Sequence, residues 1–134
     1  MYSLYFDGAS RGNPGNASFG GVIYKHINNE KNEWLTYNYK LEEKATNNEA
    51  EYNGLYYGLL IAVEKNVREL LVYGDSLLVI NQLKGIWKIK SEHLKPIYNN
   101  IKKVLKCFDM IELHHIKRKF NKRADTLANE ALDK

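Results

Sequence analysis

The sequence predicts an α/β fold, a mixed β-sheet covered by helices, and three observations carry that prediction. Residues 2–39 alternate short apolar runs with turn formers, as in an antiparallel meander. A helix-start signal at Thr46 then opens a stretch with helical spacing of small and apolar residues. Beyond residue 68, short β-branched and aromatic runs alternate with helical patterns, so later strands join the sheet by crossover.

Residues 2–7 read as a first strand, ending at Asp7 before a Gly- and Asn-rich turn. Residues 17–26 read as a second strand, and its glycines mark a bulge or a close approach. "NNEK" supplies a turn, and Trp34–Tyr39 a third strand of alternating character. Thr46-Asn47-Asn48-Glu49 fits a capping box, with Thr46 as N-cap and Glu49 reaching back to it. The helix it opens is expected to run to Lys65, packing on the sheet through Glu51, Gly54, Leu55, Gly58, Leu59 and Ala62. "ELLVYGDS" is a fourth strand ending at Gly74-Asp75, followed by a helix over residues 76–84. Residues 92–107 form a basic amphipathic helix starting near Pro96, and "MIELHHI" is a fifth strand. A last helix begins near Asn121 and shows Ala124, Leu127, Ala128 and Ala131 on one face. The order is βββαβααβα. The length suits one domain spanning residues 1–134, with no repeat or linker to divide it.

No apolar run reaches the ~18 residues of a membrane span, and strand-like sequence begins at Tyr2 without a basic leader. Cys107 is the single cysteine, so neither an intrachain disulfide nor a cysteine metal cluster can form. A soluble, cytoplasmic protein is the expectation. Charge is distributed unevenly. Residues 84–123 hold twelve Lys or Arg against three acids, whereas residues 1–83 hold seven against ten. That asymmetry fits a polyanionic partner, and taken alone it fits a solvated basic helix face equally well.

The carboxylates are more specific. Asp7 and Asp75 both follow apolar strands, and strand ends facing a crevice are where open α/β sheets bind ligands. Two such acids side by side repel each other unless a cation lies between them, and Mg²⁺ suits oxygen ligands. Glu49 is occupied by the capping box, which leaves Glu51 as an acid on the packing face of its helix. Asp125 adds a fourth at the start of the last helix. Each alone also reads as a cap or turn residue.

Four segments, "DGASRGNPG", "TNNEAE", "VYGDS" and "NKRADTLANEAL", occur in this order across nearly the whole chain. Together they resemble the signature segments of the ribonuclease H family, bacterial or type 1 class. The resemblance implies a five-stranded mixed sheet of order 3-2-1-4-5 with helices on both faces. It implies an endonuclease that hydrolyses the RNA strand of RNA/DNA hybrids by two-metal-ion catalysis, leaving 5′-phosphate and 3′-hydroxyl ends. Two Mg²⁺ ions are implied as cofactors, with Mn²⁺ able to substitute, held by Asp7, Glu51, Asp75 and Asp125 as the catalytic and metal-binding acids. Gly12, Asn13, Thr46, Asn47, Asn48 and Arg118 match positions that meet the hybrid. A monomer is expected.

The chain also departs from that pattern. Only Gly85–Glu92 separates the two middle helices, so the basic protrusion of many bacterial members is expected to be absent. Trp87, Lys88 and Lys90 read as a partial replacement for it, or Trp87 as core. The loop before the last helix is only "KRKFN" and carries no histidine, while His114 and His115 fall in the fifth strand. Arg118 or Lys119 is left to assist product release. Rival readings are a same-fold nuclease for branched DNA or double-stranded RNA, and a binding module that has lost catalysis.

Overall fold

The computed structural model describes residues 1–134. Its strands are β1 (Tyr2–Gly12), β2 (Gly15–Ile27), β3 (Glu30–Lys40), β4 (Glu69–Gly74) and β5 (Met110–His115). Its helices are α1 (Asn47–Glu64), α2 (Leu77–Leu83), α3 (Lys95–Leu105) and α4 (Lys122–Leu132). They form one five-stranded sheet of order β3-β2-β1-β4-β5, antiparallel across β1–β3 and parallel from β1 to β4 and β4 to β5. Both the element order and the mixed sheet agree with the reading of the sequence.

Strand alternation distributes the helices over the two faces. Leu4 and Phe6 on β1 and Phe19 and Ile23 on β2 join Leu55 and Leu59 of α1 in one core, completed by Val79, Ile80 and Ile101 from α2 and α3. The intervening residues face α4: Ser18 donates its hydroxyl to the Ala128 carbonyl, and a Cβ on Gly20 would lie 2.6 Å from the Ala128 nitrogen. Every residue of the predicted α1 stripe, Glu51 included, is buried. The capping box forms as expected. Glu49 N–H donates to Thr46 Oγ1 at 3.1 Å, and Thr46 N–H donates to Glu49 Oε1 at 2.9 Å.

The first three strands are longer than their apolar runs. β1 continues past Asp7 to Gly12 because antiparallel pairing with β2 persists to Gly12↔Gly15. Asp7 therefore does not end its strand. It lies just beyond the end of the parallel β1–β4 ladder, whose last pair is Phe6↔Gly74. The basic helix is also shorter than expected, Lys95–Leu105, because residues 92–94 form a turn. Residues 84–94 contain no helix, so no extra helix stands between α2 and α3. Trp87 is 43% exposed and is not core.

Candidate active site

The site forms where β1 and β4 part. Beyond Phe6 and Gly74 the two strands no longer pair, which opens a gap at the carboxyl end of the parallel ladder. Asp7 lines it from β1, and Asp75 sits in the link between β4 and α2. Helices from both faces reach this gap, α1 with Glu51 and α4 with Asp125. Two glycines permit that approach. A Cβ on Gly8 would fall 2.3 Å from the Glu51 nitrogen, so α1 can lie against β1 only if residue 8 lacks a side chain. Gly20, paired with Asp7, does the same for α4.

Carboxylate oxygens of Asp7, Glu51 and Asp75 lie within 4.8 Å of one another. Asp7 is 3% exposed and Glu51 2%. Gly8 N–H donates to Glu51 Oε1 at 2.9 Å, while Glu51 Oε2 is buried without a partner. A carboxylate oxygen so placed is costly unless a cation meets it. Burial pushes the Asp7 carboxyl up to about 7; the neighbouring Glu51 side chain opposes this, and Asp75 and Asp125 reinforce it. Burial, followed by Asp7 and Asp75, holds Glu51 well above the ordinary carboxylate range, against the pull of the Gly8 N–H. Like-charged groups driven toward neutrality by their surroundings form a site suited to a divalent cation, and hard oxygen donors suit Mg²⁺ or Mn²⁺. Asp125 bears on Asp7 yet stands outside the group of three.

The cavity against these acids, about 210 Å³, is lined also by Asn47, Ser76 and Arg118. Arg118 begins a short 3₁₀ turn, Arg118–Phe120, ahead of α4 and is exposed. A neighbouring groove of about 380 Å³ is lined by Asn13, Thr46, Asn47 and Asn48 with Ser91 and His93. The Asn13 side chain accepts from the Asn47 N–H at 3.1 Å, which docks the β1–β2 hairpin tip on the start of α1. Gly12, at φ +113°, sits at that tip outside both cavities. His114 lies on β5, within 2.9 Å of Glu112 and stacked on Tyr73, and neither it nor His115 lines the acid cavity.

Sequence reasoning did not single out Ser76, His93 or Asn121 as site residues. Ser76 caps α2, accepting from Val79 N–H at 3.3 Å, a role the motif "GDS" before a helical run could have signalled. Asn121 is 2% exposed and its side-chain nitrogen lies 2.8 Å from the Phe6 carbonyl and 3.2 Å from Asp75 Oδ2. No local pattern announces that contact.

Residues 5–131 match the family model described as reverse transcriptase-like. Over 132 residues the chain is 39% identical to a ribonuclease HI of Halobacterium salinarum, covering 96% of this chain and 63% of that protein. The crystal structure of the ribonuclease H1 from that archaeon superposes with a TM-score of 0.91 at 38% identity, covering 98% of this chain and 97% of the solved one. A bifunctional protein of Mycobacterium tuberculosis is 39% identical over 95% of this chain, and the chain spans only 34% of that protein's length. A ribonuclease H1 from compost, solved in complex with an RNA/DNA hybrid, gives a TM-score of 0.89 at 32% identity, covering 99% and 97% of the two chains. The matches run across nearly the whole sequence and share its sheet order, and the chain belongs to the ribonuclease H family, in its type 1 class.

Proposed function

We propose that residues 1–134 act as one ribonuclease H domain, a monomeric, cytoplasmic endonuclease that hydrolyses the RNA strand of RNA/DNA hybrids and leaves 5′-phosphate and 3′-hydroxyl ends. The observation that carries this reading is the convergence of Asp7, Glu51 and Asp75, with a buried Glu51 oxygen that has no protein partner. The compost relative solved with a hybrid supports the substrate class. No helix is long and apolar enough to cross a membrane.

Asp7, Glu51 and Asp75 would hold the divalent metal, with Asp7 central among the acids and Asp125 adding a further carboxylate beside it. Bound Mg²⁺, or Mn²⁺ in its place, supplies an activated water and neutralises charge on the leaving 3′ oxygen. The chain's own residues place the substrate. Arg118, beside the acid cavity, offers a fixed positive charge to the scissile phosphate and then to the cleaved product. Asn13, Asn47 and Asn48 line the neighbouring groove, and Gly12 stands beside Asn13 at the hairpin tip; their side-chain amides and exposed backbone would read 2′-hydroxyls of a hybrid laid there. Thr46, at the N-cap of α1, adds the positive end of a helix for a phosphate of the DNA strand. The bases of residues 84–123 are exposed and extend this contact along the backbone.

The test uses an end-labelled RNA strand, annealed to DNA, annealed to RNA, or left single, with wild type and Asp75→Asn in Mg²⁺, Mn²⁺ or EDTA. Metal-dependent cutting of the hybrid alone, lost in the variant, is the expected result. Equal cutting of the RNA duplex would replace it with a permissive nuclease. No cutting by folded protein would leave a binding module.

A further inference from the structure

Asn121 makes bonds to the chain segments of three of the four acids. Its side-chain nitrogen lies 2.8 Å from the carbonyl of Phe6, the residue before Asp7, and 3.2 Å from Asp75 Oδ2. Its own carbonyl accepts the Asp125 N–H at 3.1 Å, and its N–H donates to the Arg118 carbonyl at 2.9 Å. The buried side chain thus ties β1 to the start of the link after β4, and the main chain of the same residue joins them to the first turn of α4, around the gap in which the acids meet.

The chemistry of its neighbours fixes how the amide is oriented. Phe6 O and Asp75 Oδ2 are both acceptors, so the NH₂ end must face them, and its two hydrogens satisfy one each. The opposite end, Oδ1, is buried without a partner. Turning the amide over would place that oxygen against two others and leave the strand carbonyl unpaired. Asn121 also leaves the usual side-chain cap of its own helix unmade. A residue before a helix that forgoes capping, and instead donates across the sheet to a carboxylate, serves the site rather than the helix.

We infer that Asn121 is a positioning residue, holding Asp75 through Oδ2 and the Asp7 strand through the Phe6 carbonyl so that the acids converge before metal arrives. This rests on the metal-dependent hydrolytic reading above. Carboxylates that bind metal are commonly fixed by such outer hydrogen bonds, and losing one weakens metal binding by about 10- to 100-fold.

The test measures Mn²⁺ binding by titration calorimetry and hybrid cleavage across a metal series, for wild type, Asn121→Ala and Asn121→Ser. For the Ala variant we expect Mn²⁺ affinity to fall by about 10- to 100-fold. The metal needed for half-maximal cleavage should rise in step, with KM for the hybrid near wild type and activity recovering at high metal. The Ser variant, which keeps one short donor, should lie between. A lowered kcat with an unshifted metal dependence overturns the inference, since a merely structural role predicts that. Wild type that neither binds Mn²⁺ nor cuts would sink the hydrolytic reading itself; wild type that does both while Asn121→Ala equals it sinks this inference alone. Should the variants fail to fold, NMR on wild type decides. Asn121 side-chain amide protons that resist exchange and shift on Mg²⁺ addition support the assignment, and freely exchanging, unresponsive ones overturn it.

Discussion

Replacing Asp7 with Asn should stabilise the metal-free protein while abolishing cleavage, and the stabilisation should depend on pH. Burial and the charges of Asp75 and Asp125 raise the Asp7 carboxyl from 3.8 to about 7. A group whose folded pKa is raised binds its proton more tightly in the native state, so its contribution to stability is fully present below about 3.8 and is lost as pH rises through about 7. At about 1.4 kcal/mol per unit, the ionised Asp7 costs the native state at most roughly 4 kcal/mol at neutral pH and above. An amide of the same shape carries no charge and avoids that cost. If about half of it is recovered, at roughly 2–4 °C per kcal/mol, the melting temperature rises by about 4–8 °C at about pH 8. Near pH 4 the native wild-type carboxyl is already neutral, and the gain should vanish. Thermal melts of both proteins in EDTA at the two pH values measure this. A Tm difference that is the same at both, or a variant less stable than wild type at the higher pH, would refute the electrostatic account of the site.

Gly8→Ala should impair both stability and turnover, because its Cβ would sit 2.3 Å from the Glu51 nitrogen and must push α1 away. A displacement of about 1 Å at the acids costs on the order of 100-fold in rate, read by hybrid cleavage alongside a thermal melt. Metal binding near neutral pH should release protons, since Asp7 and Glu51 must ionise to bind it. Calorimetry in buffers of different ionisation enthalpy reads this directly, and a buffer-independent enthalpy would contradict it. Hybrid binding should be weak, about micromolar at physiological salt, and steeply salt-dependent, with Lys88→Ala or Lys90→Ala each lowering the salt slope by about 1. A nanomolar affinity at physiological salt would count against that reading.

Local signals carried much of the fold. The capping box at Thr46, the apolar stripe of α1 and the turn chemistry around "NNEK" each act within a few residues, so they are legible without tertiary context. Glu51 was legible for the same reason, as an acid on a face otherwise made of small and apolar residues. The strand lengths were not. Residues 30–33 are polar, and they are extended because they pair with Tyr24–Ile27 across the hairpin. The glycine after Asp7 reads locally as the break of a strand, whereas it makes room for a helix that begins almost forty residues later. Asn121 was illegible as a site residue for a similar reason. Its partners, Phe6 and Asp75, are 115 and 46 residues away, and an Asn before a helix looks like an ordinary cap.

What keeps mutually repelling carboxylates together is the burial of their chain neighbours. Asp7 follows Phe6, Glu51 lies between Ala50 and Tyr52, and Asp125 follows Ala124, and all four of these neighbours are fully buried. None of these acids can swing its backbone toward water without lifting a core residue out of place. Leaving even one large side chain such as Phe6 or Tyr52 unburied costs about 1.5–3 kcal/mol, comparable to the repulsion that would be relieved. The cluster is therefore preorganised by packing, and the helices on opposite faces of the sheet, α1 and α4, cannot relax independently, because α1 presses on Gly8 of β1 and α4 on Gly20 of β2, the strand partner of Asp7. The same arrangement explains why the acids come from separate elements. Four carboxylates on one helix or loop could fray apart together, whereas anchors on β1, α1, the β4–α2 link and α4 hold their positions by separate parts of the core, and the charge they concentrate is available to a cation on arrival.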